Sequence, residues 1–264
     1  MPEASQTISL VAAHVINQRP SDQWFAGPTS PILTYGEVHV WRVTLDERSA
    51  NFDKALAEND RTQAARFRFN VDRERFLNAR ASLRMTLGRY LETAPHALQF
   101  GFGAHGKPAL GAAQNNLDLR FNLSHSHEFA LIAITLGREI GVDIEYMRAD
   151  FAGDEIAARF FSQNEIAQLD SVAPESRVTA FFDCWTRKEA YIKARGEGLS
   201  FPLNQFDVSL GPHSRAVLLG NRLDPTETSR WVLRELSPAP NYAAAIAVEK
   251  GCEDVRFWSF DPGS

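Results

Sequence analysis

Cysteine is scarce: the chain has two, Cys184 and Cys252, in 264 residues. Two thiols build no disulfide framework and match no zinc-ligand spacing, so a reducing compartment, the cytoplasm, is expected. Cys184, within FFDCW, reads as a small buried apolar residue. No apolar run reaches the roughly 20 residues that a membrane-spanning helix needs. No basic segment precedes the short apolar run near the start, so no signal peptide is expected. Positive charge is not in excess: the net charge is −5, and nothing global points to nucleic acid. A site for a polyanion therefore needs a local basic patch. Low-complexity tracts and solenoid periods are missing, and so is a G-x-S-x-G elbow.

What is present is 44% hydrophobic and 23% charged, an ordinary globular composition. The length suits one large domain or two small ones, with a core that needs no staples. Residues 1–36 read as a leader, rich in proline, glycine and small polar residues toward its end. The alternation in GEVHVWRVTL, 36–45, predicts a strand. Phe76, Leu77, Leu83, Leu87 and Leu91 recur at helical spacing and predict a helix over 72–92. A short strand at 98–102 and the turn HGKPAL follow, then two strands over 120–137 broken at SHSHE. GVDIEYM, 141–147, is a further strand, and 154–169 a helix. A long helix over 177–196 ends at a glycine. QFDVSL, RWVLREL and YAAAIAVE close the chain as strands. Helix followed by strands thus occurs twice, and the seam between two such halves is the natural cleft.

Several clusters carry candidate chemistry. Asp143 and Glu145 stand two apart on a strand and so share one face. Carboxylates held together repel unless a cation lies between them, and hard oxygens suit Mg²⁺; an outward acidic strand face has the same spacing. In WTRKEAYIKARGEGLS, Glu189 and Lys193 lie one helical turn apart, close to Trp185, Tyr191 and Ile192. A charged pair beside buried aromatics needs partners. Glu189 suits a third carboxylate, and Lys188 and Lys193 suit phosphates. In FNLSHS, Ser124 and His125 either donate to phosphate oxygens or mark a polar strand end. Gly106, Lys107 and Pro108 put a positive charge on a rigid turn. Arg66, Arg68, Arg73, Arg75 and Arg80 form a basic patch, suited to phosphate or to ion pairs with Asp72 and Glu74.

In this order, GKP, FNLSHS, GVDIE, FFSQNE and WTRKEAYIKARGEGLS resemble the Sfp-type 4′-phosphopantetheinyl transferases, across residues 66–210. The resemblance implies an α+β fold of two similar halves related by a pseudo-twofold. Each half is then a small antiparallel sheet packed with helices, with the site at the seam: 37–139 and 140–264, after the leader. It implies transfer of the 4′-phosphopantetheine arm of coenzyme A to a serine of an apo carrier protein, with release of 3′,5′-ADP. The carrier is of fatty-acid, polyketide or nonribosomal-peptide type. Asp143, Glu145 and Glu189 look like the carboxylates that hold Mg²⁺, and Glu189 and Lys193 like the catalytic pair. Lys188, Lys193, Ser124 and His125 resemble phosphate contacts, and Arg75 the contact to the 3′-phosphate. Gly106, Lys107 and Pro108 match the turn lining the adenine pocket. Gly196, Gly198 and Ser200 resemble a loop beside the pantetheine arm. Some relatives carry lysines before RF; here ENDRTQAARF offers only Arg61 and Arg66. The carrier is expected against 151–169, the enzyme is expected to be monomeric, and neither nucleic acid nor membrane is an expected partner. A coenzyme A- or carrier-protein-binding module without catalysis and another Mg²⁺-dependent phosphoester enzyme, such as a nuclease, are the alternatives; the acidic balance disfavours the latter.

Overall fold

A computed structural model describes residues 22–211, 214–252 and 254–263. In chain order the elements are β1 (Phe25–Ala26), β2 (Glu37–Thr44), α1 (Ala50–Ala55), α2 (Glu58–Ala64), α3 (Asn70–Leu91), β3 (Phe100–Phe102), β4 (Pro108–Leu110), β5 (Leu119–Ser126), β6 (Phe129–Leu136) and β7 (Ile140–Tyr146). Then come α4 (Asp154–Phe160), α5 (Gln163–Ser171), α6 (Pro174–Arg195), β8 (Phe206–Val208), β9 (Leu218–Asn221), α7 (Glu227–Arg230), β10 (Trp231–Leu236), β11 (Tyr242–Glu249) and β12 (Asp254–Ser259). The protein is of the α+β class.

Among the described residues the two main sheets and the two long helices make four layers, with two-stranded sheets β3-β4 and β8-β9 beside them. The larger sheet runs β1-β12-β2-β6-β5 and the smaller β10-β11-β7. On one face of the larger sheet, Trp41, Val43, Phe121 and Ile132 close over Ala79, Leu83 and Leu87 of α3. Its other face, with Val38, Val40, Leu131 and Ala133, packs on Val142, Ile144, Ile246 and Val248 of the smaller sheet. The outer face of the smaller sheet presents Ala243, Ala245 and Ala247 to α6. Strands covered on both faces explain the unbroken apolar runs FALIAITL and YAAAIAVE. Helix α6 starts with Pro174 at its first turn and stops at Gly196, whose φ of +75° is the left-handed cap that glycine adopts without strain.

The structure departs from the sequence reading in places. The 154–169 helix is two, α4 and α5, because Ser162 caps a new helix: its hydroxyl accepts from Glu165 N while its own N–H donates to the Glu165 carboxylate. Of the leader, residues 1–21 lie outside the described residues, but Phe25–Ala26 is a strand paired with β12. The larger sheet is mixed rather than antiparallel, since β12 runs parallel to both β1 and β2. β12 thus pairs with Phe25–Ala26 and with Glu37–Arg42, so the last strand of the 140–264 segment sits in the sheet of the 37–139 segment. Among the described residues the two main sheets differ in strand number, five against three, so helix and sheet recur without a strand-for-strand match.

Candidate active site at the seam

Strands β5 and β7 lie side by side where the two sheets meet, and side chains rather than a full backbone ladder join them. Asn122 Oδ1 accepts from Val142 N at 2.9 Å, and Ser126 Oγ accepts from Tyr146 N at 3.1 Å. Ser124 donates to Asp143 Oδ1 and Ser126 to Glu145 Oε2, both at 2.9 Å. The period of two along FNLSHS places Asn122, Ser124 and Ser126 on one face. Sequence reasoning missed Asn122 and Ser126, although that alternation was there to be read.

Helix α6 supplies the other wall. It approaches β7 closely because Gly141 has no side chain: a Cβ there would stand 2.1 Å from Ala190 O and 2.3 Å from Ala194 N. The alanines of β11 lie on the same face. This approach brings Lys193 Nζ to 2.5 Å from Asp143 Oδ1 and 3.0 Å from Ser124 Oγ. Asp143 is 2% exposed, and its Oδ2 has no hydrogen-bond partner. Burial raises the Asp143 pKa, against the opposing pull of Lys193. Glu145 is pushed up to about 7, first by burial and then by the charge of Asp143. Glu189 is pushed up to about 7 by burial, and by the charges of Asp143 and Glu145 against that of Lys193. Burial alone would lower the Lys193 pKa; the attraction of Asp143, Glu189 and Glu145 outweighs it and raises the value.

Three carboxylates therefore crowd one ammonium. Among the described residues no group of three or more His, Cys, Asp or Glu side chains is gathered tightly enough to hold a metal ion as it stands. The chemistry of the set nevertheless fits a hard divalent cation: one buried, unpartnered carboxylate oxygen and two carboxyls raised first by burial and then by neighbouring carboxylates, both of which a bound cation offsets.

Other expected site residues are placed differently. Lys188 is 0% exposed and turned away from the seam; its ammonium donates to both Glu165 oxygens at 2.8 and 2.7 Å and to Phe206 O at 2.8 Å. That closed cage leaves no donor for a phosphate, which corrects the expectation for Lys188. The Arg75 guanidinium grips Asp46 through two bonds of 2.7 and 2.8 Å. His125 extends from β5 near Asp72, Arg75 and Lys193; crowding by protein atoms lowers its pKa, and the charges of Lys193 and Arg75 lower it further. Arg61 donates to Asp53 O at 2.6 Å. Lys107 donates to Glu139, Ile140 O and Ala194 O at 2.7–3.0 Å, so it ties the HGKP turn to the last turn of α6. Gly106 holds that turn with φ +84°, and Pro108 opens β4. The GEGLS loop meets this turn: Ser200 Oγ lies 3.1 Å from His105 Nδ1. Beside the contact is a cavity of about 500 Å³, lined by Lys107, Pro108, Arg120, Glu139, Arg195 and Gly196. A cavity of about 610 Å³ along β10 holds none of these residues.

Glu227, 3% exposed, was not legible as part of this region. It accepts from Tyr191 Oη at 2.6 Å, Arg195 Nη1 at 2.6 Å and Trp231 Nε1 at 2.8 Å, and so anchors the end of α6 from which GEGLS departs.

Two family profiles match the chain. One, described as the 4′-phosphopantetheinyl transferase superfamily, covers residues 139–247; the other, 4′-phosphopantetheinyl transferase, N-terminal, covers 39–136. The chain is 36% identical over 240 residues to the 4′-phosphopantetheinyl transferase HetI of Nostoc sp., covering 90% of this chain and 98% of HetI. It is 30% identical over 228 residues to the 4′-phosphopantetheinyl transferase Sfp of Bacillus subtilis, covering 86% of this chain and 97% of Sfp. The 4′-phosphopantetheinyl transferase AcpT of Salmonella typhimurium is 37% identical over 113 residues, 43% of this chain and 56% of AcpT. With both profiles and full-length relatives matching across the seam, the chain belongs to the 4′-phosphopantetheinyl transferases.

Proposed function

We propose that the protein transfers the 4′-phosphopantetheine arm of coenzyme A to a serine hydroxyl of an apo carrier protein of fatty-acid, polyketide or nonribosomal-peptide type. The serine oxygen attacks the β-phosphorus, the bond from that phosphorus to the oxygen bridging toward the α-phosphorus breaks, and 3′,5′-ADP leaves. The observation that carries this reading is the buried Asp143, with one oxygen unpartnered, set against Glu145, Glu189 and Lys193 at the seam.

Asp143, Glu145 and Glu189 are the residues that would hold Mg²⁺. The ion, when bound, offsets repulsion between these carboxylates and the pyrophosphate and supplies Lewis acidity. Everything else falls to the chain. Displacement of this kind needs positioning and charge neutralisation more than covalent help. Lys193, freed from Asp143, stabilises charge on the leaving phosphate. Glu189 accepts the serine proton; general-base help of this kind is typically worth about 10²–10⁴ in rate. Ser124 and His125 edge the phosphate site. The GEGLS loop and HGKP turn flank the coenzyme, with Gly106, Lys107 and Pro108 shaping the wall through backbone. Arg75 reaches the 3′-phosphate only by leaving Asp46. The segments 37–139 and 140–264 are read as the two halves that the coenzyme bridges. We place the enzyme in the cytoplasm, as a monomer; no helix among the described residues is long and apolar enough to cross a membrane.

The test is labelling of an apo carrier with fluorescent coenzyme A, read by gel and by the mass gained. Transfer should require magnesium and cease with EDTA. Glu189→Gln should lower the rate by about 10² or more while leaving the fold intact. Near-normal labelling by that variant would remove Glu189 from the mechanism.

A further inference from the structure

The last turn of α6 carries a charge network that the seam does not use. Tyr191 and Arg195 stand four apart and share one face of the helix. Lys193 is two positions, about 200°, from each, so that face points away from Asp143. Facing Tyr191 and Arg195 is Glu227, the first residue of α7. Its carboxylate is fixed from its own segment: Trp231 Nε1 donates to Oε2 at 2.8 Å and Arg230 Nη1 to Oε1 at 3.1 Å. It then accepts from Tyr191 Oη and from Arg195 Nη1, each at 2.6 Å. Burial alone would raise the Glu227 pKa; the bonds from Tyr191 and Trp231 and the charge of Arg195 outweigh it and lower the value. The Arg195 guanidinium therefore pairs with an ionised carboxylate beside buried Tyr191 and Trp231, where salt screens little.

The same guanidinium reaches the GEGLS loop. Its Nε and Nη2 both donate to Glu197 Oε1, the former at 2.9 Å, and its Cζ lies 4.5 Å from the centre of the Phe201 ring. Phe201 is buried and follows the last residue of the loop. Arg195 thus takes the loop at both ends. The loop needs such a hold, because Gly198 turns it with φ +57° and leaves the backbone freer than a residue with a side chain would. Arg195 and Gly196 line the cavity of about 500 Å³ together with Lys107 and Pro108, and Glu227 stands behind that lining.

We propose that Glu227 is a positioning residue for the coenzyme: through Arg195 it fixes the GEGLS loop as one wall of the coenzyme cavity, and so sets the affinity for coenzyme A rather than the rate of transfer. This rests on the transferase reading, which supplies the ligand. The rate is spared because Glu189 and Lys193 are held by other contacts: α6 lies on β7 at Gly141, and Lys193 meets Asp143 and Ser124.

The experiment compares the wild type with Glu227→Gln, Glu227→Asp, Glu197→Gln and Glu227→Gln/Glu197→Gln, all below the melting onset of the least stable. Coenzyme A binding is measured by calorimetry with magnesium and without carrier; the KM for coenzyme A and kcat come from the labelling assay. Glu227→Gln should weaken coenzyme A binding and raise its KM by about fivefold or more, with kcat within about twofold. Glu227→Asp, which keeps the charge, should recover part of that affinity. Glu197→Gln should also weaken binding, and the double variant should be about as weak as the weaker single one, because both act through one guanidinium. Unchanged coenzyme A affinity in Glu227→Gln overturns the proposal, as does a fall in kcat at unchanged KM. Additive losses overturn the route through Arg195. Should Glu227→Gln fail to fold, Glu197→Gln decides: an unchanged KM for coenzyme A there overturns the proposal equally. A wild type that labels the carrier while the variants keep its KM leaves the transferase reading standing and removes the positioning role. A wild type whose coenzyme A binding depends on Glu227, yet which adds no arm, keeps the positioning role and removes the transfer. A wild type that binds no coenzyme A removes both.

Discussion

At the scale of single residues, a missing side chain and three crowded ones shape the site. Gly141 lets α6 lie against β7, and a methyl there would meet backbone atoms of Ala190 and Ala194 at little more than 2 Å. Backbone cannot swing aside as a flexible side chain can, so Gly141→Ala should cost about 1–3 kcal/mol and separate Lys193 from Asp143. The denaturant midpoint and the labelling rate should fall together; an unchanged midpoint would show that the helix is not held there. Glu145 and Glu189 make a pH prediction. Their folded pKa, about 7, stands above the ordinary 4.5 of the unfolded chain. Such acids stabilise the fold below the unfolded value and lose that contribution as pH rises through the folded one. In EDTA, stability should fall as pH climbs from 4.5 toward about 7, by an amount of order 2–4 kcal/mol for the coupled pair, and the melting temperature should fall with it. Magnesium should restore it. Buried His39, lowered to about 4 chiefly by desolvation, acts oppositely, destabilising the fold as pH drops below 6.5. Taking the difference between magnesium and EDTA at each pH cancels the His39 contribution. A difference that does not grow with pH would show that the carboxylates hold no cation.

Helix α6 shows how a single element divides its charges. Lys188 and Glu189 are neighbours, yet one faces a closed cage and the other the seam, because successive helical positions point about 100° apart. The Lys188–Glu165 pair is fully buried, and Glu165 also accepts from Val208 N and Ser162 N, so the pair pins α6 to α5 and β8. Lys188→Met leaves an unpaired buried carboxylate and should cost about 3–5 kcal/mol, while Lys188→Met/Glu165→Leu should recover much of that. Turnover per folded molecule in the double variant should approach the wild type; a loss of kcat with stability restored would return Lys188 to the phosphates. The helix itself was legible, from its apolar spacing and terminal glycine. Which lysine served structure was not, because that depends on Glu165, Phe206 and Val208 arriving from elsewhere. Likewise Ser162 and Glu165 carry a capping signature in FFSQNE, and reading it would have divided α4 from α5.

At the scale of the molecule, the larger sheet is closed by the end of the chain. β12 lies between β1 and β2 and pairs with six residues of β2, from Glu37 to Arg42. Deleting residues 254–264 exposes a long edge in the middle of a sheet, and the truncated protein should be insoluble or lose cooperative melting rather than lose only carrier transfer. A soluble truncated form with a native melting curve would show β12 to be an accessory. The seam has the same non-local character: α6, β7 and β5 meet there through packing and side-chain hydrogen bonds, not through neighbours in sequence.

Local chemistry was determined by the sequence alone: the two long helices, the strands with unbroken apolar runs, the α+β class and the motif order that marks the transferases. Periodicity, cap residues and motif spacing are properties of adjacent residues and can be read without a fold. Tertiary structure alone decided that Lys193 meets Asp143, 50 residues away, and Ser124, 69 residues away, and that Lys188 meets neither. It also decided where β12 lies. Those outcomes follow from how buried charges find partners and how sheets complete their hydrogen bonds, and both are settled only when distant segments are packed together.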